Sequence, residues 1–273
     1  MMVQQIDRKQ LKRDSRALLR TAQVSPMAMT ALYLSLVLVL DAADVVSGGS
    51  AALGIGSLLS TFVSVLTWLV GIVLSAGFTI YCMAIRRGER AEFLTLFDGF
   101  SLVGKVIGLN IVIMVFTALW SMLFVIPGIV AAYRYRFAIY NLLEDPNLGI
   151  MEALNMSKRQ TTGYKAQLFM LDLSYFGWAF LATLPAALLE WCVYSASASS
   201  LATSLLALSD LTWIFIIDLW SLALSLFYLP AYQCTELGYF EIAKSTSGVG
   251  FGAEPPRQDG WNGRSHPDDL GGW

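Results

Sequence analysis

The chain has 273 residues, 56% of them hydrophobic and 14% charged, against a charged share of about 25% in soluble domains. So few charges exclude a water-soluble fold of this length, because the surface would lack polar cover. The net charge of −2 matters less than its distribution, which is uneven along the chain.

Residues 5–22 are predicted to form an amphipathic helix. Leu11, Ser15, Leu18 and Ala22 share one face, and Lys9, Lys12, Arg13, Arg16 and Arg20 fall on the opposite side. Such a helix sets its apolar stripe into the headgroup boundary and holds its cations against anionic lipid. These five cations are therefore the candidate lipid-surface contacts, and residues 1–25 read as a basic juxtamembrane segment. The apolar run that follows is longer than the core of a cleavable signal peptide, so a retained first helix is expected despite Ala42, Ala43, Gly48 and Gly49 after it.

Residues 26–244 carry six apolar stretches. Met27–Val46, Leu58–Ile85, Leu102–Ile126, Gln167–Trp191 and Leu211–Phe240 are each long enough to cross a bilayer core of about 30 Å at about 1.5 Å per residue. The sixth, Ile129–Leu143, is shorter and carries Arg134 and Arg136. Arg86, Arg87 and Arg90 follow the second stretch, and Lys158, Arg159 and Lys165 precede Gln167–Trp191, whereas 47–57 and 192–209 hold no Lys or Arg. The positive-inside rule then puts the N-terminus, 86–101, 144–166 and the tail in the cytoplasm, and 47–57, the Pro127–Gly128 corner and 192–209 outside. The expected fold is all-α: a polytopic integral membrane bundle of about six transmembrane helices, with short interfacial helices on its cytoplasmic side.

Two later segments suggest such interfacial helices. Glu89–Ser101 sets Phe93, Leu94, Phe97 and Phe100 among Glu89, Arg90, Glu92 and Asp98. Gly149–Thr161 sets Ile150, Ala153 and Leu154 beside Glu152, Lys158 and Arg159, with Ser157 interrupting the apolar face and Asn147 as the expected N-cap. Gly104/Gly108 and Gly71/Ser75 have the spacing of close helix contacts, and Pro185 and Pro230 are expected to kink their spans. Residues 245–273 are rich in Gly, Pro, Asp and Ser and read as a disordered cytoplasmic tail, which holds the only histidine, His266.

The chemistry-bearing motifs are sparse. Without a histidine in the folded part, His-based catalysis and HExxH metal sites are excluded, and neither a Walker loop nor a strand-linked GxGxxG is present. No cofactor and no catalytic residue are expected, and nothing points to nucleic acid. Cys82, Cys192 and Cys234 sit in or beside apolar spans and read as buried hydrophobes. Asp41, Asp44, Glu190 and Asp218 make the external end acidic, which read most simply as solvated surface.

The intramembrane charges are more informative. Arg136 lies nine residues before Asp145, and Asp172 lies seven after Lys165. Both are thus about 10–14 Å from the cytoplasmic ends of their helices. A lone charge at mid-membrane costs about 2.5–3.5 kcal/mol, so Asp172 is expected to pair with Arg136 or Arg134. These three residues form the candidate polar cluster, either as a structural ion pair or as part of a path for a solute.

The stretch from Phe93 to about Phe240 resembles the bacterial membrane family known as domain of unknown function 975. The resemblance rests on Leu96-Phe97-Asp98-Gly99-Phe100, the run from Leu119 to Ile129 with its Ile126-Pro127-Gly128 corner, Tyr133 and Tyr135, and Asp145-Pro146-Asn147. It continues through Glu152-Ala153-Leu154 to Ser157, Gly163-Tyr164-Lys165, and Leu171-Asp172-Leu173-Ser174 running on to Gly177-Trp178; Pro230-Ala231-Tyr232 is similar in outline. The resemblance implies a multipass protein of the bacterial cytoplasmic membrane and supplies no activity. It sets Asp172 inside a family motif. The function expected is a non-enzymatic membrane scaffold or accessory protein with a membrane protein partner. The alternatives are a small-solute transporter or channel using Arg134, Arg136 and Asp172, and, less favoured, a lipid-acting enzyme.

Overall fold

The computed structural model describes residues 6–22, 24–52, 57–196 and 210–252, and these are helical with connecting turns. In chain order the helices are α1 (Arg8–Thr21), α2 (Pro26–Ala52), α3 (Ser57–Arg87), a 3-10 helix (Phe93–Leu102), α4 (Val103–Leu123), α5 (Val125–Tyr135), α6 (Ala138–Glu144), α7 (Ile150–Gln160), α8 (Lys165–Ala196) and α9 (Asp210–Ser247). Among the described residues, four segments are long and apolar enough to cross a membrane: Pro26–Asp44, Leu58–Arg87, Phe93–Leu123 and Lys165–Leu188. Their outer faces are apolar; Leu58, Phe62, Met122 and Phe176 are all exposed. In water such a continuous apolar surface would drive aggregation, whereas hydrocarbon accepts it. The interior is correspondingly mixed, and Thr79, Asn141, Ser157, Gln160, Thr235 and Glu236 are buried beside Phe137, Tyr81 and Tyr239.

Helix α1 begins where the Asp7 carboxylate accepts the N–H groups of Lys9 and Gln10, at 2.9 and 3.4 Å. The expected stripe is present, but protein rather than lipid covers it. Ser15 is fully buried, and Leu11, Leu18 and Ala22 pack on the core formed with α3, α8 and α9. The opposite face, with Lys9, Arg13, Arg16 and Arg20, is exposed.

The second expected interfacial helix also differs. After α3 the chain turns at Gly88, whose φ of 70° suits a residue without a side chain, and Glu89 N–H bonds back to the Ala84 carbonyl at 2.9 Å. Phe93–Leu102 then runs antiparallel along the body of α3 and leads without a break into α4. Glycines set this contact. A Cβ on Gly77 would lie 1.8 Å from the Leu96 carbonyl oxygen, and one on Gly99 would lie 2.4 Å from the Val73 carbonyl oxygen. The phenylalanines of the segment point outward, and Leu96 is fully buried against α3. By contrast, a Cβ at Gly71 or Gly104 would meet nothing within 4 Å, so the spacings noticed in the sequence are not where backbones approach.

The corner after α4 falls at Phe124, whose extended φ of −160° separates α4 from α5. Pro127 sits in the first turn of α5, where a missing N–H costs nothing. Gly128 lies so near Ser121 that a Cβ would be 2.9 Å from the Ser121 Cα. Helix α7 starts at Ile150 with Gly149 as its cap, not at Asn147, whose N–H instead bonds the Asp145 carboxylate at 3.0 Å in a local turn. Pro185 and Pro230 both lie inside continuous helices. Helix α9 runs to Ser247, into the segment expected to be tail; residues 253–273, with His266, lie outside the described residues.

Gly77→Ala is expected to cost about 1–3 kcal/mol, since backbone cannot yield as a side chain can. Gly104→Ala is expected to be neutral or slightly stabilising. Thermal unfolding of the detergent-solubilised variants separates the two, and equal effects would contradict the glycine contact.

Candidate functional site

Arg136 lies where α5 gives way to α6, and neither proline nor glycine marks the break. The chain leaves the helix there because α7 supplies substitute partners. The Ser157 hydroxyl accepts the Phe137 N–H at 3.1 Å and donates to the Arg134 carbonyl at 2.9 Å; Thr161 donates to the same carbonyl at 3.3 Å. The backbone groups freed at the break are thereby satisfied in a buried place. Ser157, which interrupts the apolar face of α7 in the sequence, is the residue that holds the break.

The break aims Arg136 into the bundle between α8 and α9. Nη1 and Nη2 donate to the two oxygens of Asp172 at 2.6 and 3.0 Å. Nε and Nη2 donate to Glu236 at 2.5 and 3.2 Å, and Nη2 also meets the Tyr232 hydroxyl. Tyr133 and Tyr232 donate to Asp172 at 2.6 and 2.8 Å. Asp172 thus accepts four hydrogen bonds, about as many as a carboxylate can. The Arg136, Asp172 and Glu236 side chains are 19%, 30% and 4% exposed. One cation faces two carboxylates, so the cluster carries one surplus negative charge, which the tyrosine hydroxyls help to disperse.

Of the two arginines expected to face Asp172, Arg136 does and Arg134 does not. Arg134 is exposed and contributes its carbonyl oxygen to α7. Glu236 was missed, although it is the acidic residue one turn beyond Tyr232 in the last apolar stretch. Beyond Glu236, toward the C-terminal end of α9, further pairs tie helices together. Arg86 of α3 grips Glu241 at 2.9 and 2.5 Å and donates to the Cys234 carbonyl at 2.9 Å. Glu144 of α6 accepts from Arg87 at 2.8 Å and from Lys244 at 2.7 Å. Asn141 and Gln160 exchange two amide hydrogen bonds of 2.8 Å, and Gln160 also donates to the Val249 carbonyl at 2.9 Å.

The N-terminal cations divide. Lys12 sits at the edge of the buried stripe, donates to Ser174 at 2.6 Å and lies 4.0 Å over the Tyr175 ring. Burial, then the nearby Arg16 and Arg8, push its amine below the ordinary lysine value. Lys9, Arg13, Arg16 and Arg20 remain exposed. Of the carboxylates expected outside, Asp44 accepts from Ser64, while the side chains of Glu190 and Asp218 lie outside the described residues. Among the described residues, no group of three or more His, Cys, Asp or Glu is placed to hold a metal.

A cavity of about 370 Å³ opens among α2, α3, α4, α5, α6 and α9 and reaches Arg136. Ser75, Thr79, Asn110, Tyr140 and Gln233 contribute polar atoms to it, and Gln233 donates to Thr79 and Tyr140, both at 3.3 Å. Asp172 does not line it.

Arg136→Gln would leave two carboxylates facing each other and is expected to destabilise the protein by about 3–5 kcal/mol. Asp172→Asn leaves a balanced Arg136–Glu236 pair and is expected to cost about 1–3 kcal/mol. Unfolding in detergent gives the order, and an Asp172 variant as damaging as the Arg136 variant would refute the charge count.

Residues 111–246 match the family described as Protein of unknown function (DUF975). No curated protein and no solved structure matches the chain. The matched stretch begins inside α4, after the Phe93–Leu102 segment, and runs to the end of α9. It contains Arg136, Asp172, Glu236, both tyrosines that bond Asp172, and Ser157. By that stretch, which carries every residue of the buried cluster, the chain belongs to the DUF975 family.

Proposed function

We propose that this is a multipass protein of a bacterial cell membrane, with six crossings and cytoplasmic termini, that works without catalysis as a scaffold or accessory to a membrane partner. The six crossings are α2, α3, Phe93–Leu123, the broken pair α5–α6, α8 and α9. The observation that carries the scaffold reading is the saturation of Arg136: each of its three nitrogens is engaged by groups of the protein itself. Such a cluster locks α5, α8 and α9 together and offers little to a substrate. The paired cations Arg86, Arg87 and Lys244 gather at one end of the bundle together with α1, the arrangement expected of a cytoplasmic face.

A second reading, passage of a small solute, is favoured by one feature, the polar cavity that reaches Arg136. Its lining mixes apolar side chains with hydrogen-bonding groups that are neutral apart from Arg136, which suits an uncharged, partly apolar solute.

Reporter fusions are expected to place 47–57 outside and the C-terminus in the cytoplasm. The full chain solubilised from its own membrane is expected to retain a stoichiometric membrane protein partner, and proteoliposomes are expected to show no solute flux. Flux that Asn110→Leu and Gln233→Leu abolish, with folding intact, would replace the scaffold reading with the second.

A further inference from the structure

At about 100° per residue, Arg16 and Arg20 stack one turn apart on the exposed face of α1. They stand over a groove of about 490 Å³ between the C-terminal half of α1, the start of α2 and the middle of α9. The rim is cationic, and the floor is apolar, with Leu19, Met27, Leu226, Phe227 and Pro230. Met27 and Phe227 are 55% and 63% exposed, so the floor is open to its surroundings. Pro26 begins the first apolar span, which puts the two guanidinium groups at headgroup level and the floor below it.

The ion pairs among the described residues engage Arg86, Arg87, Arg136 and Lys244, and none reaches Arg16 or Arg20. Two uncompensated guanidinium groups over an apolar trough match one kind of molecule: an anionic head joined to a hydrocarbon chain. Guanidinium forks bind phosphate oxygens in pairs, and the volume is that of an ordinary small-ligand site.

We propose that this groove seats a single anionic phospholipid of the cytoplasmic leaflet, its phosphate between Arg16 and Arg20 and an acyl chain along Phe227 and Leu226. The seat differs from general attraction of a basic helix to a charged surface. It uses two of the exposed cations and a specific apolar floor, while Lys12 is committed to α8. It holds equally for a scaffold and for a transporter.

Native mass spectrometry of the full detergent-solubilised chain tests it, with dioleoyl phosphatidylglycerol, dioleoyl phosphatidylcholine and inorganic phosphate as probes. One phosphatidylglycerol per chain is expected to stay bound, with phosphatidylcholine held far more weakly and phosphate unable to displace it. Arg16→Gln/Arg20→Gln is expected to weaken binding about 30-fold, at roughly a fivefold loss per cation. Lys9→Gln/Arg13→Gln, which removes the same charge from the same face, is expected to change it little. Should the first double variant unfold, Phe227→Ser, at an exposed floor position, is expected to weaken the lipid without altering folding. Equal loss from both double variants, equal binding of the two lipids, displacement by phosphate or an unaffected Phe227→Ser protein would each overturn the seat.

Discussion

A guanidinium group can sit inside an apolar helical bundle only if its charge and its hydrogen-bond donors are met there, because neither lipid nor packed hydrocarbon will solvate it. In this protein Asp172 of α8 and Glu236 of α9 meet Arg136, and two tyrosines complete the shell of Asp172. Three helices distant in sequence are fixed by one side chain. The geometry is demanding: loss of Arg136 leaves two buried carboxylates facing each other, and loss of Asp172 or Glu236 takes two acceptor contacts from Arg136. Such an arrangement specifies one packing more strongly than apolar contacts do, since apolar faces exchange neighbours at small cost when lipid tails are equally apolar.

That side chain reaches its partners because the helix carrying it stops at the right residue. A continuous helix from Val125 to Glu144 would keep its backbone bonds internal and leave Ser157 of α7 and Thr161 just after it without their present acceptor, the Arg134 carbonyl. The hydroxyls of α7 tip the balance by bonding the groups a break exposes. The short helix α7 is therefore a clamp on the broken span, and Gln160, one turn further along, extends the clamp to Asn141 and to the segment that follows α9. Sequence order, from helix break to clamp to Asp172 to Glu236, becomes a closed loop of contacts.

Much of this was legible in the sequence, and the reasons for the rest are physical. Long apolar runs identify helices for lipid because their signal is additive over about twenty residues. The cost of a lone intramembrane charge singled out Arg136 and Asp172, and equal depth brought them together. Arg134 was indistinguishable from Arg136 at that level, because only the local break decides which of two nearby arginines faces inward. The break itself has no local signature. Gly77 and Gly99 carry no signal in the sequence because a close backbone contact between distant segments needs no GxxxG spacing, and that spacing at Gly104 lacks such a contact. For α1 the sequence shows the stripe, but a hydrophobic face does not disclose whether protein or lipid will cover it.

Arg136 and Glu236 are in direct contact within the folded bundle, and the lock requires that they be energetically coupled. A double-mutant cycle on Arg136→Gln and Glu236→Gln, read by unfolding in detergent, addresses it most directly. The double variant is expected to be more stable than the sum of the single losses implies, by about 1 kcal/mol or more. Strict additivity would mean that the two side chains do not depend on each other, and the lock would not exist.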